Sequence, residues 1–395
     1  MAYVGFPPIY AGEITLVAFA PLVLRKDALS RFIRNPISIL VCAYVFLPML
    51  YFTFHQPTAK AAITDFGLFS VVAHYAIFFY YGYAAVHTVL EQRAFLRLMY
   101  FAILLSLAHS AARWLVPLRE LPLTVNEIPL LGHFDLSGIY RMCGLAYVAI
   151  FYPHLGKLKS LALLGLFATY LFCPPSRGFV VVLVVLTGIL LWYWRILPLA
   201  SRRHAVTAVC VAVLVMALGY VIAPSSGMSP HLDAQVDVVV ATVSDSPNLP
   251  GKAGSKAHRI AMWSEIIGRT LRDAPLFGAG FAEDLTDAVF RNPHSSFVTI
   301  FGRMGLVGLS ISILIYFGVA THVSRALTWG RSIELRRYLL FYLCFWASFV
   351  NVALVQGTPL ESPYSALVCN FVLGAAWRCA ELARVPVLAA SGLDP

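Results

Sequence analysis

Acidic side chains are scarce in this chain: 19 Asp and Glu stand against 29 Lys and Arg in 395 residues, and charged residues make up only 12%. A soluble domain carries about a quarter charged residues, so this composition excludes an ordinary water-soluble fold. The few acids form no DxD-like pair, and the sequence has no P-loop, no GxGxxG and no HExxH, so neither a nucleotide nor a metal cofactor is implied. Seven cysteines (Cys42, Cys143, Cys173, Cys210, Cys344, Cys369, Cys379) include no CxxC and fall in or beside apolar runs. They read as small buried apolar side chains rather than a disulfide or metal framework. Leu136-Ser137-Gly138 with distant histidines is too weak a pattern for an intramembrane serine protease.

What is present is hydrocarbon. Apolar residues make up 59% and mean hydropathy is +0.77. Runs near the roughly 17 to 25 residues that cross a bilayer core recur at 9–24, 36–54, 63–90, 98–116, 138–153, 159–174, 178–196, 205–223, 295–321, 338–356 and 363–381. Glu13 interrupts the first, whose alternative is an interfacial helix. The predicted fold is therefore all-α, a polytopic transmembrane bundle of about eleven spans.

The formal net charge of +10 follows the same architecture. Basic residues gather in alternate connections: Arg25, Lys26, Arg31 and Arg34; Arg93 and Arg97; Lys157 and Lys159; Arg195, Arg202 and Arg203; Arg325, Arg331, Arg336 and Arg337; Arg378 and Arg384. That is the positive-inside pattern. It predicts an outer N-terminus, a cytoplasmic C-terminus, and three regions: spans in 1–223, a large outer loop at 224–294, and spans with a cytoplasmic tail in 295–395. Nucleic acid is not needed to account for the basic charge.

Within the loop, 224–257 is rich in Ser, Pro, Gly and Asp and reads as irregular. From His258 to Asp273, Ile260, Trp263, Ile266, Ile267 and Leu271 recur at helical spacing with Lys256, Arg269 and Arg272 opposite, which predicts an amphipathic helix on the membrane. Pro275, Gly278 and Gly280 end it. Asn292-Pro293 reads as N-cap and first helical residue of the next span, which would put His294 in the first turn.

Four residues carry candidate chemistry on the predicted outer face. Arg259, at 100° per residue, projects with Trp263, Ile266 and Thr270 rather than with Arg269 and Arg272. A guanidinium on an apolar flank seeks an anion; the alternative is snorkelling to water. Arg177, in Pro174-Pro175-Ser176-Arg177-Gly178, falls at a helix start where Ser176 caps, a setting suited to phosphate or to a headgroup anchor. Arg141 stands at the outer end of the fifth span and gains meaning only by convergence. His294, near arginines and a helix dipole, is disfavoured as a cation and so stays able to accept a proton, as a general base must; the alternative is a histidine bonded to a neighbouring helix end.

Further along, Gly305 falls about 16 Å deeper than His294 on a continuous helix, and Gly305, Gly308 and Ser312 predict a small-residue packing stripe. Arg303 would pair with Asn351, Gln356 or Glu361, or with a phosphate. His74, His109, Asn351 and Asn370 would make interhelical hydrogen bonds. Glu120, Glu127, Asp135 and Glu361 are outer carboxylates whose spacing selects none of them.

Taken together, Ser176-Arg177-Gly178, Arg259-x-x-x-Trp263, Pro275-Leu276-Phe277-Gly278-Ala279-Gly280, His294-Ser295-Ser296-Phe297 and Gly305-Leu306-Val307-Gly308 resemble the O-antigen ligase and polysaccharide polymerase family of bacterial inner-membrane glycosyltransferases. The resemblance covers roughly 138–375. It implies transfer of a glycan from undecaprenyl diphosphate to an acceptor hydroxyl at the periplasmic face, with lipid A core or a growing glycan as acceptor. Arg141, Arg177 and Arg259 would hold the diphosphate and His294 would be the base, with no cofactor. Family members commonly have twelve spans with both ends cytoplasmic, against eleven counted here, and show His-Asn or His-Ser where this chain has His-Ser. Ligase and polymerase differ only in the acceptor. A transporter or lipid-linked glycan flippase is the reading from another class, although transporters concentrate polar groups near the midplane.

Overall fold

The computed structural model describes residues 3–4, 9–10, 26–55, 76–115, 124–125, 128–129, 137–151, 177–196, 202–203, 253–280, 295–330, 332–355 and 363–384. These are overwhelmingly helical, as the hydropathy pattern requires. Ten helices position the residues of interest: α1 (Lys26–Ile33), α2 (Pro36–His55), α3 (76–85), α4 (Val89–Leu115), α5 (Ser137–Phe151), α6 (Arg177–Trp192), α7 (Ala253–Asp273), α8 (Ser296–Trp329), α9 (Ile333–Val355) and α10 (Pro363–Leu382). Extended pairing among the described residues amounts to two-residue ladders, Tyr3–Val4 with Ile9–Tyr10 and Thr124–Val125 with Ile128–Pro129. The expected runs at 9–24, 159–174 and 205–223 lie wholly or mostly outside the described residues.

Two described helices are long and apolar enough to cross a membrane, Ser296–Trp329 and Ile333–Leu354. The pair Asp27–Ile33 and Pro36–Tyr51, bent by 83°, makes up to a third. The bend has a local cause. Asn35 Oδ1 accepts from the Ile37 amide at 3.3 Å, the Ser38 hydroxyl donates to the carbonyls of Ile33 and Asn35 at 3.0 and 2.7 Å, and Pro36 opens α2. An Asn cap with Pro at the first helical position starts a new helix rather than continuing the old one. α4 begins on a reciprocal capping box: the Glu91 carboxylate accepts from the amides of His87 and Thr88, and the Thr88 hydroxyl accepts from the Glu91 amide.

The chain forms two compact units. One comprises 1–2, 93–253 and 336–351. Its core sets Ala146, Leu186, Cys344 and Ala347 together. Tyr147 stacks on Tyr100 at 4.7 Å and meets Phe341 edge-on at 5.4 Å, geometries that aromatic quadrupoles favour. A polar side chain here can satisfy itself within its own helix, as where the Ser348 hydroxyl donates to the Cys344 carbonyl.

The other unit comprises 3–92, 254–335 and 352–395. In it α8 packs against α2 and α10. α3 and α10 cross at backbone contact: a Cβ added at Gly82 would meet the Phe371 carbonyl oxygen at 1.8 Å, and one at Gly374 the Phe79 carbonyl oxygen at 1.9 Å. Close helix approach through small residues therefore occurs at this crossing. At Gly308, expected to serve that purpose, the nearest atoms to an added Cβ belong to the Met304 side chain of the same helix. The five described cysteines, Cys42, Cys143, Cys344, Cys369 and Cys379, are not joined in disulfides, and all but Cys42 are buried.

Candidate functional site

The sequence from Arg259 to Gly308 builds one joint within the second unit. α7 runs Ala253–Asp273, five residues longer at its start than the apolar periodicity predicts. Its inward side carries the half-buried Arg259 and Trp263, with Ile266 fully buried and Thr270 only 3% exposed. The Thr270 hydroxyl donates to the Ile266 carbonyl at 2.8 Å, so its polarity is spent within the helix. Helical phase thus turns Arg259 toward the protein, as its spacing predicts. The apolar stripe is not one face, however: Ile260 and Leu271 are 51% and 53% exposed, and they point away from the buried pair. Arg269 pairs with Glu265 at 2.8 Å on the exposed flank.

The turn after α7 is the structural surprise. α8 is two helical pieces, 296–304 and 306–329, joined at Gly305 with φ 62° and ψ −160°. That backbone region is open essentially to glycine alone. A break in a helix orphans amides and carbonyls, and here the 275–280 turn supplies their partners. The Leu306 and Val307 amides donate to the carbonyls of Pro275 and Leu276 at 2.9 and 3.0 Å, while the Ala279 and Gly280 amides donate to those of Gly302 and Arg303 at 2.9 and 3.1 Å. The approach is so close that a Cβ at Gly305 would lie 2.4 Å from the Leu276 carbonyl atoms, and one at Gly278 (φ 72°) 2.4 Å from the Arg303 carbonyl carbon. Phe277 then stacks on Tyr51 of α2 at 4.2 Å, tying the turn to a third helix.

This overturns two expectations. Gly305 does not place one side of a continuous helix about 16 Å beyond His294; it interrupts the helix, and its task is backbone pairing rather than helix packing. The start of α8 also differs from the predicted one. Ser295, in extended conformation (φ −150°, ψ 115°), is the N-cap and accepts from the Val298 amide at 3.5 Å. Ser295, not Asn292, is therefore the N-cap of α8. Asn292, Pro293 and His294 themselves lie outside the described residues.

Arg303 sits at the break, where its carbonyl is one of the four paired groups. Gln356 and Glu361, two of its expected partners, lie outside the described residues, as do the carboxylates Glu120, Glu127 and Asp135. The backbone puts Arg141 in the second turn of α5 and makes Arg177 the first residue of α6, the position expected if Ser176 caps. The side chains of Arg141 and Arg177 are outside the described residues. Both arginines belong to the first unit, whereas Arg259 belongs to the second.

Sequence reasoning missed the pairing of the glycine turn with the broken helix. Its signal was available: two glycine-bearing motifs, 275–280 and 305–308, each short, in a stretch whose other residues favour helix. Glycine in a helix interior is unfavourable by about 1 kcal/mol, which marks Gly305 for an explanation that a packing stripe does not supply.

No curated protein matches the chain. A family model described as O-antigen ligase matches residues 160–313. The matched stretch contains Arg177, Arg259, the 275–280 turn, His294 and Gly305, while Arg141 falls before it. Over that stretch, toward whose C-terminal end the glycine turn pairs with the broken helix, the chain is similar to the O-antigen ligase family.

Proposed function

We propose that this protein is an O-antigen ligase: it moves a glycan from undecaprenyl diphosphate to a hydroxyl of lipid A core at the periplasmic face of the bacterial inner membrane. The supporting observation is the family match over 160–313, together with the joint that holds α7, bearing Arg259, against the α8 break eleven residues after His294. On this reading 224–294 is a periplasmic loop within a bundle of 11 or 12 spans, and the carboxylates and basic connections follow the topology read from charge.

The chemistry follows from the residue types. His294 accepts the proton of the acceptor hydroxyl as its oxygen attacks the anomeric carbon, and the carbon–oxygen bond to the diphosphate breaks. The leaving diphosphate carries the bonding electrons, and Arg259, Arg177 and Arg141 offset its growing negative charge. A planar guanidinium meets phosphate oxygens in pairs, which a lysine ammonium does not. The lipid diphosphate is already an activated leaving group, so the proposed step uses only these side chains.

Two experiments test this. In purified, reconstituted protein, His294→Ala lowers transfer by roughly 10²–10⁴-fold, the usual contribution of a general base, and Arg259→Ala also abolishes detectable transfer. Wild-type rates in both variants overturn the catalytic assignment. In a deletion strain, lipopolysaccharide loses its long chains while free polymer accumulates; single repeat units left on the core would instead make the protein a polymerase of the same family. Intact lipopolysaccharide beside a lost exopolysaccharide would make it a polymerase of another pathway, and a defect in translocation with transfer intact would support a flippase.

A further inference from the structure

Toward the Trp329 end of α8, away from the Gly305 break, α8 and α10 border an open groove of about 380 Å³. Its lining changes character along the helix. Ile313, Leu314 and Phe317 form one end and are substantially exposed, whereas His322 and Arg325 form the other. From Ile313 to Arg325 the helix rises about 18 Å, close to the depth of one leaflet of a ~30 Å hydrocarbon core. The gradient from aliphatic to cationic therefore matches the gradient of a membrane lipid from chain to headgroup.

Three details make the groove more than a gap between helices. Gly318 lies in its lining, and a Cβ added there meets no atom of the described residues within 4 Å, so the glycine answers to no close packing and leaves the groove open. His322 stacks on Trp377 with ring centroids 4.0 Å apart and planes 3° from parallel, which fixes the imidazole, yet its buried Nε2 has no hydrogen-bond partner among the described residues. The exposed Arg325 and Arg384 both bear on His322 electrostatically. The nearby carboxylate, Glu381, is already engaged by Asn35, Tyr83, Trp377 and Arg378. An anion with an apolar tail complements what remains.

We propose that this groove binds an anionic phospholipid, with an acyl chain along Ile313, Leu314 and Phe317 over Gly318 and the phosphate at Arg325 and the His322 Nε2. The inference is independent of the transfer reaction and of the residues proposed for it.

The test uses the full chain, delipidated in detergent and titrated in native mass spectrometry with phosphatidylglycerol, phosphatidylcholine and inorganic phosphate in turn. Phosphatidylglycerol should bind about fivefold more tightly than phosphatidylcholine, the factor that one basic residue near a lipid surface contributes toward anionic lipid. Arg325→Gln should remove most of that preference, and Gly318→Leu, whose Cβ enters open space, should weaken both lipids while leaving the protein monodisperse. Equal affinity for the two lipids, binding unchanged in Gly318→Leu, or competition by inorganic phosphate at the lipid's own affinity would each overturn the proposal, the last by showing a free-anion site.

Discussion

Two fastenings within the second unit work by opposite means. At Gly305 the joint is backbone on backbone: four amide–carbonyl pairs between 275–280 and 302–307, admitted by glycines with no side chain to object. Where α10 nears the Asn35 turn, the fastening is side chain on side chain. One carboxylate, Glu381, takes the Tyr83 hydroxyl at 2.9 Å, the Arg378 guanidinium at 2.8 Å, the Trp377 indole at 3.2 Å and the Asn35 amide. Tyr83 also lies beneath the Arg378 guanidinium, 5.7 Å from ring centroid to Cζ. The first fastening depends on the absence of atoms and fails when any are added. The second depends on one particular group and fails when it is removed. On the proposed function, a segment that must hold its geometry while charges form nearby is well served by the first kind, because backbone pairing brings no titratable group of its own.

Substitutions can separate the two fastenings. The largest effect is expected at Gly305: an alanine there meets both a glycine-only conformation, worth about 1–3 kcal/mol, and a 2.4 Å contact with the Leu276 carbonyl. Gly305→Ala should lower the melting temperature in detergent markedly and abolish transfer. An unchanged melting temperature would mean that the break is not required by the fold. Next comes Glu381→Gln. It leaves Arg378 partly buried without its carboxylate, and a loss of about 2 kcal/mol is expected, less than for a fully buried pair because both groups keep some contact with water. Transfer per folded molecule should stay near wild type; a loss of transfer out of proportion to stability would show that the two fastenings are coupled. The smallest effect is at Glu265→Ala, which frees the exposed Arg269 pair and should cost about 0.5 kcal/mol or less. A cost well above that would mean Arg269 has a structural role on the exposed flank of α7.

How far the sequence could be read is clearest in its two Asn-Pro dipeptides. Asn35-Pro36 is a helix start, with its cap hydrogen bond formed. Asn292-Pro293 carries the same local signal, yet the helix begins at Ser296 behind an extended Ser295. Cap chemistry is short-range, and two capping residues within four positions compete; the packing of the helix beyond them chooses between the two. The same limit applies to α7. Periodicity located the helix and turned Arg259 inward, but it merged two apolar directions into one face, since a pattern of hydrophobicity does not distinguish burial against protein from exposure toward lipid. Gly305 is the sharpest case. As a letter between Met304 and Leu306 it is only a weak helix former, and it became the site of a break because a distant turn offered its amides and carbonyls new partners.

The sequence by itself determined that this is a helical membrane protein, where several of its helices lie, and which short motifs resemble those of a glycosyltransferase family. Those properties derive from local quantities: the length of an apolar run, the spacing of side chains at 3.6 residues per turn, the sign of charge beside a span. The tertiary structure alone decided that 275–280 pairs with 302–307, that α8 starts at Ser296 and breaks at Gly305, and that Glu381 gathers four partners. Each of those results from a hydrogen-bonding group meeting a partner brought from elsewhere in the chain, and a buried polar group takes the partner that the fold brings to it.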